Sequence, residues 1–120
     1  MTKLMMTKLV VVILLALTMP ASAQDIDSAN YFLPGCKAFL VRDKSEVPLT
    51  EIFASMRCAG FVDGLVYGVG GKDFCRPNGA TIGQALAVVV KYIEARPERM
   101  HEPFGLLAIE ALKAAWPCKR

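Results

Sequence analysis

The chain has 120 residues, 54% of them hydrophobic, with 14 Lys+Arg against 11 Asp+Glu, four cysteines and a single histidine. That length fits one domain rather than two, and abundant apolar residues beside only 9 glycines and 7 prolines exclude collagen-like, coiled-coil and disordered classes. Residues 24–120 hold 12 Lys+Arg against 11 Asp+Glu with no basic run, so nothing in the charge balance points to nucleic acid or an anionic membrane.

The first 23 residues read as a Sec signal peptide. Lys3 and Lys8 supply the charged start, Leu9 to Leu17 an unbroken apolar run, and Ala21-Ser22-Ala23 a small-x-small cleavage site that leaves Gln24 first. A membrane anchor needs about 20 apolar residues, and this run stops short, at Pro20. No cysteine stands at the cleavage point to carry a lipid. The expected organisation is a signal peptide at 1–23 and one domain at 24–120, exported to the periplasm.

All four cysteines, Cys36, Cys58, Cys75 and Cys118, fall after the cleavage point. An even count in a small exported domain implies two disulfides. A zinc site is disfavoured, because no Cys-x-x-Cys occurs and only His101 adds a nitrogen ligand. Three pairings are open to sequence alone.

Along the domain, Ser28 caps a first helix reaching about Val41, and Pro34-Gly35 inside it predicts a kink or a late start. Arg42 to Val47 form a polar turn. A second helix spans about Pro48 to Tyr67, with Ile52, Phe53, Met56, Phe61 and Leu65 as its apolar residues. Gly60, Gly64 and Gly68 share one face of it. Each costs about 1 kcal/mol against alanine, which predicts close approach of a neighbouring helix. Gly68-Val-Gly-Gly-Lys72 is no phosphate loop, since Val66 replaces its leading glycine and Asp73 the required Ser or Thr. It reads as a glycine-rich helix end.

Residues 71–80 form a loop carrying Cys75. Thr81-Ile-Gly-Gln84 fits a capping box, and Ile82, Leu86, Val89, Val90 and Ile93 mark an amphipathic third helix that ends before Pro97. Pro103 opens a fourth helix with Phe104, Leu107, Leu112 and Trp116 on one stripe. The fold class is all-α, a small, roughly up-down four-helix bundle. In that topology the second and fourth helices end together, which favours Cys75–Cys118 and leaves Cys36–Cys58 across the first turn. By loop entropy the two bridges contribute roughly 4 and 3.5 kcal/mol.

The run Cys58-Ala-Gly-Phe-Val-Asp-Gly64, then Phe74-Cys-Arg-Pro77, Gln84 through Val90-Lys-Tyr92, Arg96-Pro-Glu98 with His101 and Pro103, and Ala114-Ala-Trp-Pro-Cys118 resembles the Rap/Tai family of immunity proteins. The resemblance covers about residues 29–118. It implies a periplasmic, disulfide-containing helical protein without catalytic activity or cofactor, often a homodimer. Its implied partner is a cognate peptidoglycan amidase delivered by type VI secretion, whose papain-like active site it blocks.

Two loops are candidate partner contacts: Lys72, Asp73 and Phe74 after the second helix, and Arg96, Glu98, Arg99, Met100 and His101 between the third and fourth. The plain alternative for each is a solvated turn. His101 is not a catalytic base, because bridging consumes every thiol it might activate. Asp63, between Gly60 and Gly64, is expected to accept hydrogen bonds from Arg57 or a helix end. An acid-stress chaperone of the periplasm is the alternative function; an enzyme is weakest, for want of a nucleophile, metal site or phosphate loop.

Overall fold

The computed structural model describes residues 2–16 and 25–119. Among these residues five helices follow one another: α1 (Thr2–Ala16), α2 (Ala29–Leu40), α3 (Leu49–Val69), α4 (Ile82–Glu94) and α5 (Phe104–Ala115). One-turn 3-10 segments cover Lys44–Glu46 and Pro97–Arg99. Among the described residues no strand forms, and isolated bridges join Ser28 to Pro103 and Gly70 to Phe74. The fold is all-α, with α2 to α5 as the bundle. α1 covers the charged start and most of the apolar run; the Ala21-Ser22-Ala23 site lies outside the described residues.

Local chemistry sets where the helices begin. Ser28 accepts the Tyr31 N–H at 3.3 Å, capping α2. Before α4, the Gln84 N–H reaches Thr81 Oγ1 at 3.2 Å and the Thr81 N–H reaches Gln84 Oε1 at 2.8 Å, which completes the capping box. Of the kink or late start expected at Pro34-Gly35, the late start does not occur: α2 begins at Ala29 and runs through Pro34. Pro34 and Asn30, whose carbonyl the proline leaves without an intrahelical donor, both lie at the surface, so water can satisfy that oxygen.

α2 and α3 approach closely at Gly35, where a Cβ would overlap the Ala54 carbonyl. One residue on, Cys36 is bonded to Cys58 with Cα atoms 5.2 Å apart, and both cysteines are fully buried. The bridge and the glycine together turn Ser55, Cys58, Val62 and Val66 of α3 inward. The second bridge, Cys75–Cys118, has Cα atoms 4.7 Å apart, so the favoured pairing is the one present. Beside it the Cys75 N–H donates to the Trp116 carbonyl at 2.8 Å, and Trp116 packs half-buried against the core.

That rotation of α3 corrects the glycine expectation. Gly60, Gly64 and Gly68 lie on the outer side, and a Cβ on any of them meets nothing within 4 Å. Their neighbours Phe53, Met56 and Tyr67 are 61%, 63% and 79% exposed. Asp63 is only half-buried, so its carboxylate keeps access to water, and Arg57 turns instead to Tyr31, donating to its hydroxyl and lying over its ring. Leu86, Val89 and Ile93 of α4 meet Phe104, Leu107 and Leu112 of α5 in the core. Phe32 stacks on Phe104 with ring centroids 4.6 Å apart, and Phe61 tilts against both.

Two alanine substitutions in helix interiors should therefore move stability in opposite directions. Gly35→Ala overpacks the α2–α3 contact and is expected to lower the unfolding free energy by about 1–3 kcal/mol. Gly64→Ala adds a methyl into open space and should raise it by about 0.5–1 kcal/mol. Denaturant melts of the oxidised chain measure both, and a loss at Gly64 equal to that at Gly35 would contradict the assigned rotation of α3.

Candidate functional site

The start of α2 and the α4–α5 loop form one unit. The first amides of a helix have no intrahelical acceptor, and here the loop supplies carbonyls: Ala29 N–H donates to Glu102 at 3.0 Å and Asn30 N–H to Met100 at 2.8 Å. In the other direction the first amide of α5, that of Phe104, donates to the Asp27 carbonyl at 2.7 Å. Pro97 and Pro103 carry no N–H that would need an acceptor and preset the backbone at the two turns.

Side chains lock the loop further. Arg99 donates from Nε and Nη2 to the two oxygens of Glu102, at 2.8 and 2.7 Å. From Nη1 and Nη2 it donates to Glu110 on α5, at 2.7 and 3.1 Å. The Tyr92 hydroxyl donates to Glu110 as well, at 3.1 Å. These hydrogen bonds from Arg99 hold both carboxyls below the usual carboxylate range, against the opposing effect of desolvation, and the two carboxylates raise the guanidinium pKa in turn. Arg96 lies 3.7 Å over the Tyr92 ring and donates to the Tyr92 carbonyl at 3.0 Å.

The predicted contact residues divide accordingly. Glu98 and His101 are exposed. Arg99, its side chain 27% exposed, is committed to its two carboxylates. Met100 packs half-buried on the core and borders an open groove of about 640 Å³ with Leu33, Lys37 and Glu51. Arg96 borders another, of about 430 Å³, with Tyr92, Ala111 and Ala115.

Phe74 departs from the expectation for its loop: it is fully buried in the core and offers a partner no side-chain surface. Gly71, at φ +85°, turns the chain so that its N–H meets the Phe74 carbonyl at 2.7 Å, and that turn delivers the ring inward. Lys72 and Asp73 remain exposed on the turn. Cys75 is tied near the C-terminal end of α5 and the other loop sits at its N-terminal end. The two candidate loops are thus separated by the length of a 12-residue helix, about 18 Å.

Sequence reasoning passed over the outer face of α3, where Leu49, Phe53, Met56 and Tyr67 are exposed along the glycine stripe. Its signal was the spacing of those residues by three, four or multiples near them, in register with Gly60 and Gly64 rather than with Cys58.

The depressed carboxyls carry a pH dependence of definite sign. A folded-state pKa below the ordinary 4.5 contributes stability that is present above that pH and lost as pH falls through the folded value. Unfolding free energies measured from neutral to strongly acidic pH should drop less steeply in Glu110→Gln than in the wild-type chain; parallel profiles would refute the clamp.

The residues together make a preformed charged loop between two open grooves, on a doubly cross-linked scaffold. Comparison with known proteins gives one family, the Rap1a immunity proteins, whose sequence model matches residues 28–118. No curated protein matches the chain. The matched span begins at the Ser28 cap and closes at Cys118, so it takes in the whole bundle, both disulfides and the α4–α5 loop. The chain belongs to the Rap1a immunity protein family.

Proposed function

We propose that this immunity protein acts in the periplasm, without catalysis of its own, by binding a cognate peptidoglycan amidase delivered by type VI secretion and covering its active site. The supporting observation is the α4–α5 loop, which lies within the family match and is tied down at both ends before any partner arrives. A loop ordered in advance loses little conformational freedom on binding, so more of the contact energy appears as affinity. Glu98 and His101 are its free side chains, and Met100 supplies an apolar edge. Export by the 1–23 segment, cut after Ala23, is part of the same reading, and two disulfides suit an oxidising compartment.

Titrating the purified chain into a papain-like type VI amidase should abolish muropeptide release at one equivalent. The double variant Glu98→Ala, His101→Ala is expected to need at least about tenfold more protein, the scale of losing one strong anchor. Unchanged release at saturating wild-type protein would reject the reading.

Pairing with a second copy is the other part of the proposal, and it draws on the exposed apolar face of α3. Analytical ultracentrifugation should give a dimer for the wild type and a monomer for Phe53→Glu. A monomeric wild type that suppresses aggregation of many unrelated clients in acid would favour the chaperone alternative, for which the same exposed face is the relevant observation.

A further inference from the structure

Beyond its backbone hydrogen bonds with the start of α2, the α4–α5 loop is held to α5 by one side chain, Arg99. Four of the five N–H donors that a guanidinium owns are spent in Arg99 on two carboxylates, which leaves little for any partner. Those carboxylates stand at different places: Glu102 closes the loop, whereas Glu110 belongs to α5. Arg99 therefore fixes the loop against the body of the bundle. Met100, the next residue, and Glu102, which its side chain grips, are the residues whose carbonyls cap α2.

We propose that Arg99 is the positioning residue of the partner-binding loop: by bridging Glu102 to Glu110 it sets the shape that presents Glu98 and His101, without itself meeting the partner. The inference rests on the reading that this loop contacts the effector. Its consequence is a loop that acid releases while the bundle persists. Both carboxylates must be ionised to hold the guanidinium, whereas Cys36–Cys58 and Cys75–Cys118 secure the helices elsewhere. The other ionisable groups facing the clamp are Tyr92 of α4 and Arg96 and His101 in the loop, and α2 presents backbone amides to the loop. None of those three is a carboxylate, so a transition in the carboxylate range that frees the guanidinium belongs to Glu102 and Glu110.

Native-state amide exchange of the free, oxidised chain tests this without any partner. The Ala29 and Asn30 amides, which donate into the loop, are the reporters. At neutral pH, Arg99→Ala and Glu110→Gln should each lower their protection by about tenfold or more, while the core amides of Val62 and Leu107 keep theirs. Arg99→Lys, a point charge without the fork, should recover part of it. Acid should produce the same local loss in the wild type and no further loss in Arg99→Ala, once the intrinsic pH dependence of exchange is removed.

Equal protection of Ala29 and Asn30 in wild type and Arg99→Ala would overturn the proposal. So would a loss spread evenly over the α3 and α5 amides. Inhibition titrations with the same amidase separate the two failures. A wild-type chain that never inhibits removes the functional reading alone, whereas full inhibition by Arg99→Ala removes the positioning role alone.

Discussion

The contact between α2 and α3 at Gly35 and Ala54, sealed by the neighbouring Cys36–Cys58 bridge, decides the rest of the architecture. Once the helices touch there, the rotation of α3 about its own axis is no longer free. Ser55, Cys58, Val62 and Val66 must face the core, and everything half a turn away must face out. The α4–α5 pair then closes over the remaining apolar faces through Leu86, Val89, Phe104 and Leu107. A domain of this size has a modest core, and fixing one helix pair by a covalent bond removes many of the alternative packings open to an apolar helix with two usable faces.

That doubleness marks where the sequence could be read and where it could not. The caps at Ser28 and Thr81, the helix starts after Pro48 and Pro103, and the disulfide pairing all follow from short-range chemistry or from chain order in an up-down bundle. α3 is different, because Leu49, Phe53, Met56 and Tyr67 make as convincing an apolar stripe as Ser55, Cys58, Val62 and Val66. Periodicity cannot choose between two faces of one helix; the position of Cys58 can, since a bridge to α2 requires it inside.

The candidate site was legible in outline only. Its loop stood out by charge, but the ion pair from Arg99 to Glu102 is local and the one to Glu110 spans 11 residues, across the start of α5. No helical spacing rule covers that second pair while the loop geometry is unknown. Phe74 was misleading for a related reason: an aromatic next to exposed Lys72 and Asp73 looks like part of a surface turn until Gly71 is seen to reverse the chain and aim the ring inward. In both places a charged or apolar residue drew its role from backbone turns several residues away.

The Cys75–Cys118 bond closes a covalent circuit that contains α4, the α4–α5 loop and α5. The loop is therefore the middle of a ring rather than a free span between two helices. A single backbone cut within it would leave both fragments attached through the bridge and packed against the same α2–α3 pair, so that damage in this loop is not equivalent to loss of the domain.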